Sequence, residues 1–403
     1  MSPDPSPPLY ISRSPSPAYS PFPKSTEQTV QRSSAAGPSR VTPTNYFIKR
    51  DDGITLLLSG QMDEAQRPST GPGALLEGQV ILERTDRENI GGVELKIEGL
   101  LESLPLPGAY SVVTVVAISD LLYHFSNDSD SCCPNSLPFS HRFPSIFSYE
   151  DVVYPLPPTC HILFSYPQLF VKCTYHITAT VLMRHPMAPF FRKEHRVSVD
   201  LDYRPQPTPP DPMLENPSLV LTVKSCPEEW IQLPMTSTET TVGPNNLACD
   251  LFAPASRVFR VSDSIPFHLQ VSGPAALIGE MFRRRRHAFT HPPRSAEELP
   301  VRVYLLRRVI MRVGDKNARR SIVLGEGTLR SLPPVFREGA SSGTEALSWE
   351  GEVRCAEDFT VGSFEAGLVT VKDSLAAEIS PPPGSALHRA FAEYPVRLIE
   401  NGW

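Results

Sequence analysis

Between Phe170 and Met183 the chain alternates without a break. Phe170, Lys172, Thr174, His176 and Thr178 take one phase, and Val171, Cys173, Tyr175, Ile177 and Ala179 take the other. Successive side chains of an extended strand point to opposite faces, so this run predicts a β-strand with one buried face. Val93-Glu94-Leu95-Lys96-Ile97-Glu98 repeats the rhythm strictly, as does Arg196 to Tyr203. Shorter β-rich runs cover Tyr46 to Ile48, Ile54 to Leu58, Leu75 to Glu83 and Val112 to Leu122, with a turn signal at Asp51-Asp52-Gly53 and with Gly91-Gly92 between the run ending at Glu83 and the one starting at Val93. Proline supplies 44 of 403 residues, about twice the usual ~5%. That density disfavours long helices and suits strand ends, turns and linkers.

Residues 203–217 carry six prolines in fifteen positions, a stiff connector and a domain boundary. The strand rhythm then restarts at Ser218 to Lys224, Arg257 to Val261, Ile265 to Ser272 and Val301 to Val313. It continues through Ile322 to Leu324, Ser348 to Arg354, Leu368 to Val371 and Val396 to Ile399. Ser374 to Glu378 is a short helix candidate. Short strands in two blocks predict an all-β fold of two tandem antiparallel β-sandwiches, over 45–204 and 218–403, joined by a Pro-rich linker at 205–217. Residues 1–44 are Pro/Ser-rich, with Ser-Pro at Ser2, Ser6, Ser14, Ser16 and Ser20, and are expected to form a disordered tail.

The net charge of −6 argues against a nucleic-acid partner. Its distribution is uneven: Arg283 to Arg320 holds twelve Lys/Arg against three Asp/Glu, so that stretch is net +9 and the remainder −15. The seven widely spaced cysteines do not read as a secreted disulfide framework. There is no leader-like apolar region and no run near the ~18–20 apolar residues that span a bilayer. A cytoplasmic protein is expected, recruited peripherally to the plasma membrane or endosomes. The HExxH, GxSxG, P-loop and GxGxxG patterns are missing, so neither an enzyme nor a cofactor is expected. Cys132-Cys133 with His124 and His141 fits no zinc spacing, and Cys173, on an apolar phase, reads as a core thiol.

Pro7, Pro8, Leu9 and Tyr10 spell Pro-Pro-x-Tyr, the ligand of WW domains. The prolines pre-set a polyproline II helix that slots between aromatic rings, and the tyrosine fills a second pocket. Ser16-Pro17-Ala18-Tyr19 is a degraded second copy that lacks the first proline. Ser6, Ser14 and Ser16, each before a proline, are candidate phosphorylation sites; phosphate at Ser6 would add about 1.5–2 negative charges beside the docking motif.

Arg283, Arg284, Arg285 and Arg286 form a basic run suited to phosphoinositide headgroups or other phosphates, because the guanidinium fork binds phosphate bidentately. A solvated loop insertion and a nuclear-localisation segment are the competing readings. If Val301 to Val313 is one strand, Arg302, Arg308 and Arg312 share its solvent face and extend the patch.

The order of these features resembles the arrestin superfamily, and within it the fungal arrestin-related (α-arrestin) group. The resemblance rests on Asn45-Tyr46-Phe47, Gly78-Gln79-Val80, Val93 to Gly99, Leu137 to Pro144, Tyr154 to Thr159 and Phe170 to Met183. The second block adds Asp263 to Leu269 and Phe364 to Val371. It implies an adaptor. The double sandwich would hold cytosolic segments of a membrane transporter or receptor, and the Pro-Pro-x-Tyr motif would recruit a WW-domain HECT-type ubiquitin ligase for ubiquitination and endocytosis. In that group the motif usually lies in a C-terminal tail; here it is single and N-terminal. Two other readings stand: an arrestin-fold signalling or sorting scaffold without ligase recruitment, and a peripheral phosphoinositide-binding module acting through 283–320.

Overall fold

The computed structural model describes residues 45–400 apart from 63–65, 84–86, 106–108, 127–131, 165–168, 185–192, 206–218, 238–246, 282–299, 314–315, 334–343 and 382–386. The expected tail and most of the Pro-rich linker therefore lie outside the described residues.

The first block contains β1 (Asn45–Asp51), β2 (Ile54–Gln61), β3 (Ser69–Thr70), β4 (Leu75–Leu82), β5 (Ile90–Leu104) and β6 (Ser111–His124). It continues with β7 (Ser136–Arg142), β8 (Ile146–Tyr149), β9 (Val152–Pro155), β10 (Cys160–Phe164), β11 (Leu169–Met183) and β12 (Glu194–Tyr203). One sheet runs β1-β2-β4-β7. The other runs β3-β12-β11-β5-β6, with β10 also paired to β11. All pairings are antiparallel except the short β12–β3 contact. The alternation in β11 places Val171, Cys173, Tyr175, Ile177 and Ala179 inward, opposite Leu95, Ile97 and Leu101 of β5 and facing Ile54, Leu56, Leu58, Val80 and Leu82 of the second sheet.

The chain then forms a short helix α1 (Leu219–Ser225), then β13 (Trp230–Pro234), β14 (Thr236–Ser237), β15 (Ala248–Pro254), β16 (Val258–Arg260) and β17 (Ile265–Pro274). After a second helix, α2 (Ala275–Met281), come β18 (Val301–Val313), β19 (Lys316–Glu326), β20 (Thr328–Leu332), β21 (Thr344–Val353), β22 (Phe364–Ala366), β23 (Val369–Ile379) and β24 (Ala390–Ile399). The sheets run β13-β15-β17-β21-β20 and β14-β24-β23-β18-β19, with β16 on β24 and β22 on β23. The architecture is all-β, as the alternation predicts: each block is a pair of antiparallel sheets closed over an apolar core.

Three local expectations are corrected. Ser374 to Glu378 lies within β23, not a helix. Its Ala376-Ala377-Glu378 favours a helix intrinsically, but β23 is bracketed by β18 and β24 and buried on both faces, where small residues fit. Gly91-Gly92 falls inside β5, beside Leu182 and Tyr123 across the sheet, and makes no turn. Residues 219–225 are helical despite their β-branched content: Thr222 is buried, and its carbonyl accepts from the Cys226 N–H.

The two blocks share a core. Val309 and Met311 of β18, Ala366 of β22, Leu368, and Val369 and Val371 of β23 join the apolar cluster of the first sandwich. A hairpin of the first block closes over them. Its turn residues Glu150 and Asp151 both have positive φ, the geometry of a tight two-residue turn. Glu150 ion-pairs with Arg312, whose guanidinium also lies over the Tyr149 ring at 5.4 Å. Gly367, at φ +62, leaves room for that ring: a Cβ there would sit 2.8 Å from Tyr149.

Gly351 tests the fit of β20 on β21. A Cβ at this position would come within 1.8 Å of the Thr328 carbonyl oxygen and 2.7 Å of the Phe267 ring. Gly351→Ala is expected to cost about 1–3 kcal/mol, seen as a lower urea midpoint with an unchanged m-value; an unshifted midpoint would contradict this packing.

Candidate functional site

Of the residues nominated by the sequence, Ser6, Pro7, Pro8, Leu9, Tyr10, Ser14, Ser16 and Arg283 to Arg286 lie outside the described residues. Arg302, Arg308 and Arg312 are all on β18, on the face opposite Val301, Val303, Leu305, Val309 and Met311. Arg302 pairs with Glu326 of β19 and lies over the Tyr304 ring at 5.4 Å. Arg308 grips both carboxylate oxygens of Glu393 on β24, which also accepts from Ser374 Oγ at 2.7 Å. Arg312 is held by Glu150. Each of the three thus has a carboxylate partner, two from the flanking strands β19 and β24 and one from the turn at Glu150. Arg319 of β19 lies opposite Ile310, on the same face as Arg308 and Arg312, and Arg320 lies opposite Val309.

The arginine with the most structural consequence is the one that alternation places inward. Arg307 is 2% exposed and sits directly opposite Asp373, itself 3% exposed. Its Nε donates to Asp373 Oδ1 at 2.8 Å, and its Nη2 donates to Oδ2 at 2.9 Å and to the Val361 carbonyl at 2.7 Å. Ser363 Oγ donates to the same carboxylate at 2.7 Å and accepts from the Leu398 N–H at 3.0 Å. This bidentate pair ties β18, β23 and β24 to the 361–363 segment. Both residues are legible as sequence exceptions: each is a charge in an otherwise apolar phase, Arg307 among Val303, Leu305 and Val309, and Asp373 among Val369, Val371 and Leu375.

That segment forms one wall of a cleft at the junction of the sandwiches, about 140 Å³ in volume, with Pro72, Pro158 and Pro205 opposite Ser363, Arg397 and Glu400. Burial, and then Asp202, push the Glu400 carboxyl up to about 7, with Arg204 pulling the other way. A wider, open groove of about 520 Å³ crosses the outer face of the four-stranded sheet, floored by Leu57 and Gln79 and edged by Tyr46 and Pro138.

Burial raises Cys133 and Cys355 to about 11 and Cys173 and Cys249 to about 12, and raises Cys160 further. Among the described residues no cluster of three His, Cys, Asp or Glu side chains could hold a metal ion. His141, adjacent in sequence terms to the cysteine pair, is instead bonded to Asp120 at 3.1 Å. No helix among the described residues is long and apolar enough to cross a membrane.

No family model matches the chain, and no curated protein matches it.

Asp373→Asn leaves the Arg307 charge buried without its counter-ion. It is expected to cost about 3 kcal/mol or more, and an apolar double replacement of Arg307 and Asp373 is expected to cost less than that single change. Denaturant unfolding of both variants decides it; equal stability of wild type and Asp373→Asn would contradict the buried pair.

Proposed function

We propose that the chain is a non-catalytic, arrestin-like adaptor. Its Pro7-Pro8-Leu9-Tyr10 motif recruits a WW-domain HECT-type ubiquitin ligase, and its sandwiches hold cytosolic segments of a membrane transporter or receptor. Ubiquitin transfer and endocytosis of that cargo follow from proximity, because tethering raises the effective concentration of the ligase at the cargo. The observation that carries the reading is the joined double sandwich: two antiparallel β-sandwiches with one apolar cluster running through their junction. Such a body presents surface to other proteins, and the β-rich elements on which the resemblance was drawn, Val93 to Gly99 and Phe170 to Met183, pair with each other along its centre.

The protein acts from the cytoplasm in this reading, and contact with phosphoinositides falls to Arg283 to Arg286. Arg302, Arg308 and Arg312, each with a carboxylate partner, take structural parts.

Capture by immobilised ligase WW domains tests the reading. The full chain is expected to bind in the micromolar range and Tyr10→Ala at least tenfold more weakly, with a matching loss of cargo ubiquitination in a reconstituted reaction. Equal capture of the two chains would overturn the ligase-recruiting function.

A further inference from the structure

Strand register brings two cysteines together inside the first sandwich. Cys160 opens β10 and sits directly opposite Cys173 of β11. Directly opposed residues of an antiparallel pair project their side chains to the same face, with Cβ atoms about 4.5–5.5 Å apart. Here that face is the core: both cysteines are buried in it, while the next opposed pair, His161 and Lys172, takes the outward phase. Both thiols are free. Opposed strand residues have Cα atoms about 4.5–5.5 Å apart, inside the range of about 4.4–6.8 Å that a disulfide spans. Among the described residues no other two cysteines are strand partners: Cys249 faces Val271, and Cys132, Cys133, Cys226 and Cys355 lie outside strands. The surroundings also distinguish the two sulfurs. Burial raises Cys173 to about 12 and Cys160 further. At Cys173 that rise is opposed by Tyr175, whose hydroxyl donates to the Pro157 carbonyl at 2.6 Å. Cys173 is therefore the more readily ionised of the pair.

We propose that Cys160 and Cys173 are a reversible modification site: hydrogen peroxide joins them in a cross-strand disulfide, and thiol reductants reopen it. The Cys173 thiolate attacks one peroxide oxygen. The O–O bond breaks, and the departing hydroxide takes up the thiol proton as water. The Cys160 thiolate then attacks the sulfur of the Cys173 sulfenic acid. The S–O bond breaks, and hydroxide leaves with the second thiol proton as a second water. Two thiols and one peroxide thus give one disulfide and two waters. In a reducing compartment the dithiol is the resting state. Burial keeps the pair covered and protonated, so closure is slower than oxidation of the exposed Cys132. The bond staples β10, whose one strand partner among the described residues is β11, to the middle of its sheet. It also fixes the chain entering β10, where Thr159 Oγ1 already accepts from the Tyr203 N–H of β12 at 2.8 Å. The site does not depend on the adaptor reading.

Peptide mass mapping of the full chain tests the site under two oxidations. Dilute hydrogen peroxide acts overnight on the folded protein. A glutathione redox buffer acts during refolding from urea, when burial no longer limits access. Both are expected to give one linked peptide pair, joining Cys160 to Cys173 and lighter by two hydrogens than the separate peptides. Cys132→Ser is expected to leave that link unchanged, and dithiothreitol to remove it. In the linked chain, amide exchange in β10 is expected to slow at least about tenfold, with β20 and β21 unchanged. Cys160→Ala is expected to abolish both the link and the slowing. Free thiols at Cys160 and Cys173 after either oxidation would overturn the proposal, as would a link from either to another cysteine in equal amount.

Discussion

The apolar contact at the junction governs the rest of the structure. Val309, Met311, Val369 and Val371 belong by sequence and hydrogen bonding to the second sandwich, yet their side chains complete the core of the first. Burying such residues contributes about 1.5–3 kcal/mol each relative to leaving them in water. Separation of the sandwiches would expose these side chains together. Polar contacts accompany it: the Glu150–Arg312 pair between the blocks, and the Asp202–Arg204 pair at the end of β12.

β18 shows how one strand divides its arginines between roles. The inward Arg307 is fully desolvated and tolerable only because Asp373, Ser363 and the Val361 carbonyl surround it. The outward Arg302, Arg308 and Arg312 are partly solvated, and each pair adds little to stability on its own. Each of the three has one carboxylate partner, from Glu326, Glu393 or Glu150.

Much of the fold was legible in the sequence because strict alternation has one simple physical meaning. The runs at Val93 and Phe170 are central strands paired to each other, and the thirteen residues from Val301 to Val313 are one strand. Failures came where local preference and tertiary context disagree. Ala376 and Ala377 favour a helix alone, but between two neighbours only small side chains fit, and the strand wins. The valines of 219–225 favour a strand, yet the segment is a helix. The candidate site was less legible. Arg307 and Asp373 could be found as charges in apolar phases, whereas the Glu326, Glu393 and Glu150 partners of the outward arginines are set by strand register and by a turn of the other block. Glu400 carried no signal, since its environment is made by Asp202 and Pro158 of the other block.

An adaptor that holds cargo with one part and a ligase with another works best when the cargo-holding part moves as a unit. The shared core makes that claim physical, and scanning calorimetry of the full chain tests it most directly. A shared core is expected to give one cooperative transition whose calorimetric and van't Hoff enthalpies agree. Two separated transitions, one for each sandwich, would contradict it.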